Sequence, residues 1–193
     1  MSLPGAEDVL SFWFSDLDDH GNPVFRGAWF EKNPAFDAAM RERFSPLHAA
    51  AKGRVLENWR ATPDSALALT ILLDQFSRNM FRDRPEMYAC DDYAVEVANE
   101  ALKCGFGESV PVVKRWFFFM PYMHSERLAD QNTCVRLFEG LPPGGAVDQG
   151  LKSARRHREI VERFGRFPHR NAILGRSSTP EELAFLQEPD SSF

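Results

Sequence analysis

Three of the five histidines, His124, His157 and His169, fall in stretches rich in Arg, Asp and Glu. Imidazole is suited to proton transfer near neutral pH, so acid–base chemistry would be sought there. His124 follows Phe117 and Met120 at helical spacing and precedes Leu128, so it points inward if a helix survives Pro121. His157 lies on the stripe Ala154, Val161 and Phe164, with Arg158 beside it. His169 belongs to "FGRFPHRNAILGR" (164–176), which sets Arg166, Arg170, Asn171 and Arg176 among Phe, Pro, Ile and Leu. That stretch carries too many cations for a core segment and too much apolar surface for a solvated loop. A lone inward histidine is more often a hydrogen-bonded structural residue than a catalytic one. His124 is not alone.

The polar residues that could meet these cations lie on two other segments. "SALALTILL" (65–73) is apolar almost all round and gives way to "DQFSRNMFR", where Asp74, Arg78 and Arg82 recur four apart with Gln75 and Asn79 beside them. A helix that enters as core and leaves with such a face lines something. The plainer alternative is an exposed Asp74–Arg78 pair of little energetic weight. In "MPYMHSERLADQ" (120–131), Glu126 and Asp130 are four apart, and Gln131 sits one turn beyond Leu128. Buried charges must be paired or they cost several kcal/mol each. The arrangement that meets this demand is one cluster, with Asp74, Glu126 and Asp130 facing Arg78, Arg82, Arg158, Arg166 and Arg170. Five arginines then face three acids, and an anionic guest would balance the excess.

If such a site turns its ligand over, His124 or His157 is the acid–base group, Glu126 or Asp74 orients it, and the arginines hold a phosphate or carboxylate. Hydrolysis or transfer at a phosphate or acyl group is the broad class, and the residues leave binding and catalysis both open. A different class of function fits the same residues: a helical scaffold gripping a peptide or protein partner, the polar cluster serving as brace or carboxylate clamp. A metal centre from His124, Glu126, Asp130 and His157 has no H-E-x-x-H motif behind it. Ser125 lacks a G-x-S-x-G elbow. The reading therefore includes no metal and no cofactor.

The elements that must position these residues read as helices throughout, with no convincing strand. Expected segments are 6–14, a second opened by Pro34 and stopped by Gly53, a strong helix 65–82 closed by Pro85, and 89–104 before Gly105. Another starts near Val112, kinks or breaks at Pro121 and resumes over 127–139. "GLPPGGAVDQG" (140–150) reads as a linker, 151–164 as a helix ending at Gly165, and "STPEEL" as a capping box with Thr179 as cap and Pro180 in the first helical position. Pro168 confines Phe167 to an extended backbone, and Phe164 and Phe167 are expected to anchor the segment.

At 193 residues the chain is expected to form one domain, and its 17 Phe and 4 Trp supply an unusually large aromatic core. A net charge of −5 argues against a general nucleic-acid binder. No apolar run approaches a membrane span, and the N-terminus does not read as a secretory signal. Cys90, Cys104 and Cys134 are widely spaced and fit free thiols in a reducing cytoplasm better than a disulfide framework. Oligomeric state is not legible.

"LLDQFSRNMFR", "MPYMHSERLADQ" and "RFGRFPHRNAILGRSSTPEE" together resemble a bacterial family of unknown function classed with the tetratricopeptide-like all-helical proteins. The likeness extends to "VLSFWF" and "WFEKNPAFD" and so covers nearly the whole chain. It implies an all-α fold of tetratricopeptide-like α–α superhelical type. It implies no reaction and no catalytic residues.

Overall fold

Asn33 accepts the backbone N–H groups of Ala35 (3.1 Å) and Phe36 (3.0 Å), and Pro34 takes the first helical position. Helices make up the computed structural model of this protein, which describes residues 3–20 and 23–192. Among the described residues there is no strand, only an isolated antiparallel bridge between Leu17 and Pro23. The helices are α1 (Ala6–Trp13), α2 (Pro34–Lys52), α3 (Pro63–Ile71), α4 (Ser77–Met80), α5 (Asp91–Lys103), α6 (Val112–His124), α7 (Leu128–Glu139), α8 (Gly145–Phe164) and α9 (Pro180–Phe185). Short 3-10 turns fall between them, one at Pro168–Arg170.

Backbone contacts divide the chain into two compact units, Met1–Arg82 with Glu86–Pro121, and Asp83–Pro85 with Tyr122–Phe193. The first is centred on aromatics. Trp13 stacks on Trp29 at 6.0 Å and meets Phe117 edge-on at 5.6 Å, and Phe44 meets Phe76 at 5.2 Å. Large flat side chains of this kind bury much area per residue ordered. In the second, α7 packs along α8, and Ile160, Val161, Phe167 and Phe185 form a core cluster with Phe164 at its edge.

Three expectations change. The helix expected over 65–82 starts at Pro63, passes through a turn of π-helix at Leu72–Phe76, and ends at Met80. The wider turn lets Asp74 and Gln75, adjacent in sequence, both be buried. Side chains serve its carbonyls: Ser77 Oγ donates to Leu73 O (2.6 Å) and Arg78 Nη1 to Asp74 O (3.0 Å). The break expected at Pro121 falls instead at 125–127, because α6 continues through Pro121 to His124. Phe117, Phe118, Phe119, Met120, Tyr122 and Met123 are all buried, and their packing offsets the one backbone bond that proline removes. The linker expected over 140–150 is shorter, since α8 begins at Gly145 and buries Gly150. Tertiary packing overrides the low helix propensity of glycine.

Gly165 ends α8 at φ 69°, its N–H donating to Val161 O at 2.8 Å. A Cβ there meets nothing within 4 Å, so only backbone strain opposes substitution. Gly165→Ala should therefore cost about 1 kcal/mol in urea unfolding, with the slope of the transition unchanged.

Candidate functional site

In the first unit the polar side chains satisfy one another. Arg78 Nη1 meets Asp74 Oδ1 at 3.0 Å, and both guanidinium ends reach Asp91 at 2.9 and 3.1 Å. The Asp74 side chain is 1% exposed and that of Arg78 12%, so this is not a surface pair. Gln75 donates to Asp74 Oδ2. Burial works against the charge on Arg78, but Asp74 and Asp91 overcome it and raise its pKa. Asn79 donates to Asp37 (2.9 Å), and Arg82 binds the same carboxylate at 2.6 Å. The expected stripe thus splits between two carboxylates, because the helix stops at Met80 and Arg82 leaves its face.

Beside this lies a buried pair that the motifs did not single out. His48 Nε2 is 2.8 Å from Ser77 Oγ. The Ser77 hydroxyl has one proton and gives it to Leu73 O, so it accepts from the ring. His48 is a donor here rather than a base acting on serine, and burial lowers its pKa to about 4.

In the second unit α8 and the turn at Pro168–Arg170 bring His157, His169 and Arg170 around Phe167, and α6 sets His124 beside His157. The rings of His124 and His157 are 6.4 Å apart, those of His157 and Phe167 5.5 Å, and those of Phe167 and His169 5.6 Å. Phe167 is fully buried with an extended backbone (φ −91°, ψ 107°), as the following proline requires. Arg170 lies over the Phe167 ring at 4.5 Å and donates to His124 O at 2.8 Å, a cation on the last carbonyls of α6. His157 is buried, whereas His124, His169 and Arg158 are half-buried. Its Nδ1 faces Ser153 O at 2.8 Å, and a carbonyl only accepts, so Nδ1 carries the proton and Nε2 is an acceptor in the neutral ring. Burial, then the adjacent His124, hold its pKa down at about 3, with Arg170 and His169 acting the same way against the Ser153 bond. Arg158 makes neither an ion pair nor a hydrogen bond among the described residues.

The carboxylates of this unit serve other arginines. Glu126 takes Arg176 through both oxygens (2.7 and 2.9 Å) and accepts the Phe167 N–H at 2.8 Å. Burial raises its pKa, but Arg176 and that N–H outweigh it and leave it below the ordinary value. Glu182 takes Arg166 (2.7 and 2.9 Å), Asn171 (3.3 Å) and the Thr179 N–H (2.7 Å), which together hold it at about 2 against burial. Asp130 accepts from Ser125 and Arg127, both at 2.6 Å. Gln131, wholly buried, donates to Met123 O and Ser125 O at 2.6 Å and so caps the end of α6. Among the described residues no three His, Cys, Asp or Glu side chains form a metal-holding group.

With this geometry in place, the family described as "Bacterial protein of unknown function (DUF924)" matches residues 9–190. The chain belongs to this family. A solved structure of a protein of unknown function from Agrobacterium tumefaciens is 43% identical, covers 94% of this chain and 96% of its own, and superposes with a TM-score of 0.84. No curated protein matches the sequence.

In this DUF924 chain the acids that pair with the arginines are largely not those the spacing proposed. Asp37, Asp91 and Glu182 replace Glu126 and Asp130 as partners of Arg78, Arg82 and Arg166, and Arg176 grips Glu126. His48 had a signal: it continues the series Phe36, Met40 and Phe44 by another four residues. Asp37, next to Phe36 on α2, had none.

Proposed function

We propose that this protein binds a small phosphate- or carboxylate-bearing molecule at the His124, His157, His169 and Arg170 group, with Arg158 at its edge. The observation that supports this is the assembly of His157, His169 and Arg170 around one buried ring, with His124 beside His157, so that three elements contribute. Two of them, His124 and His169, are half-buried and so reachable from solvent. An anion there would be met by charge-assisted hydrogen bonds. Asp74, Gln75, Arg78, Asn79, Arg82, Gln131, Arg166 and Asn171 act in this reading as internal bracing. A neutral imidazole among cations is also the group that would exchange a proton with the ligand, so turnover at a phosphate or acyl group belongs to the same proposal. The protein would work in a reducing cytoplasm, consistent with free Cys90, Cys104 and Cys134 and with no described helix long and apolar enough to cross a membrane.

At a ligand concentration a hundredfold above Kd, linkage should stabilise by about 2.7 kcal/mol and raise Tm by about 5–10 °C. We expect inorganic phosphate or citrate to give such a shift, Arg170→Ala to remove most of it, and Arg163→Ala, whose pair with Glu181 is exposed, to leave it intact. No shift with phosphate, sulfate or citrate would sink the anion site.

The second reading is a tetratricopeptide-like α–α superhelix that grips a peptide or protein partner, with α7 and α8 as one helical hairpin. The internal pairing of so many polar side chains favours it, as does the close packing of those two helices. Under it, His157→Gln and Arg170→Ala change stability but leave partner capture unchanged.

A further inference from the structure

Resting on the anion-site reading, we propose that Glu126 and Arg176 are positioning residues of that site. Together they set the turn that carries His169 and Arg170, and anion affinity depends on the geometry they impose. The turn has little to hold it by itself. Pro168–Arg170 is a single 3-10 turn, closed by Arg170 N to Phe167 O (3.1 Å) and Asn171 N to Pro168 O (3.0 Å). Pro168 has no N–H to add, and a turn this short is marginal without tertiary support.

The support converges on one guanidinium. Arg176 Nε donates to Asn171 Oδ1 (3.0 Å) and Nη2 to Phe167 O (3.2 Å), so one side chain holds the residues on either side of the turn. Its main-chain N–H adds a bond to Asn171 O at 2.8 Å. Nη1 and Nη2 also grip Glu126 at 2.7 and 2.9 Å, and Glu126 Oε1 accepts the Phe167 N–H at 2.8 Å. Phe167 is thereby held through both its N–H and its carbonyl, and Phe167 and Asn171 are both buried. What this fixes is the face of the turn: Arg170 lies 4.5 Å over the Phe167 ring with His124 O at 2.8 Å, and the His169 ring stands 5.6 Å from Phe167.

Lysine carries the same charge as Arg176 but cannot reach Glu126, Phe167 O and Asn171 Oδ1 at once. Charge and geometry therefore predict different outcomes. Glu126→Gln removes a negative charge close enough to interact with Arg170, so electrostatics alone would tighten anion binding. Loosening of the turn would weaken it, because an amide offers one oxygen and cannot take the guanidinium fork while accepting the Phe167 N–H.

The test is isothermal titration of the whole protein with inorganic phosphate at pH 7 and low ionic strength. Arg176→Lys should weaken binding about tenfold and Glu126→Gln about fivefold, the scale of one hydrogen bond to a charged group. Asp37→Asn, whose partners Asn79 and Arg82 lie in the first unit, should bind as the parent does. An equal loss there would make the effect one of general stability and overturn the inference. Unchanged affinity in Arg176→Lys, or tighter binding in Glu126→Gln, overturns it while leaving the anion site standing. A parent that does not bind phosphate overturns both. The ligand-free protein gives a second arm, since the Phe167 ring current shifts the Arg170 side-chain N–H resonances and Arg176→Lys should collapse that shift. A shift that survives the substitution overturns the inference whatever binds.

Discussion

Arg78→Met should cost about 3–5 kcal/mol, more than any other substitution of a charged residue in the first unit. The reason lies in what it leaves behind. Asp74 is almost wholly buried and Asp91 shares the same guanidinium, so the variant strands two carboxylates beside each other. Asp74→Asn is milder, about 1–3 kcal/mol, because Arg78 keeps Asp91 through two hydrogen bonds and the amide can still accept. The double variant should lose less than the sum, with a coupling energy of about 1–3 kcal/mol in urea unfolding. Asp37→Asn should fall below Arg78→Met because the Arg82 it uncouples is a quarter exposed and can rehydrate. Small and strictly additive losses at Arg78 and Asp74 would mean that this carboxylate pair is solvated and that the π-turn does not bury it.

Local chemistry was readable from sequence wherever partners lie within a few residues. The Thr179–Pro180–Glu182 box forms as written, with Thr179 N bound to Glu182 at 2.7 Å and Glu182 N to Thr179 Oγ1 at 3.2 Å. Pro34 opens α2 and Gly53 ends it, and Gly165 ends α8, where composition places them. The all-helical class followed from periodicity. What periodicity could not show is which long-range partner each buried charge takes. Arg82 and Asp37 are 45 residues apart, Arg176 and Glu126 50, and no spacing rule connects them. Glu182 illustrates the same limit, since its role as a cap is local but its hold on Arg166 and Asn171 is tertiary. The π-turn escaped because its cause, side chains serving the carbonyls of Leu73 and Asp74, exists only once the helix is buried. Convergence of His124, His157 and His169 was legible from the inward facing of the first two and from the short distance of His169 past the end of α8. Their tautomers were not, since those depend on backbone carbonyls such as Ser153 O.

Acid should destabilise the fold well before its carboxylates titrate, by about 4 kcal/mol between pH 7 and pH 5. Two buried histidines produce this. An unfolded histidine titrates at about 6.5. His48 is lowered to about 4 by burial and Lys52, and His157 to about 3 by burial and His124. A depressed imidazole binds its proton more readily in the unfolded chain. Its contribution is therefore complete above about pH 6.5 and is lost as pH falls toward the folded value. From pH 7 to pH 5 each ring gives up about 2 kcal/mol, and the two losses should add because the rings lie in different units, one bound to Ser77 Oγ and the other to Ser153 O. Below about pH 4 the His48 term is flat, and His157 continues alongside Glu182, whose own window runs from about 4.3 down to about 2. The decline over pH 5–7 should be halved by either His48→Gln or His157→Gln and nearly abolished by both. Urea midpoints measured at half-unit intervals decide it. A parent profile flat from pH 7 to pH 5 would mean that these rings reach water before the chain unfolds. A saturating anion at His157 should change only one of the two terms, so phosphate would flatten the part that His157→Gln removes and leave the His48 part untouched.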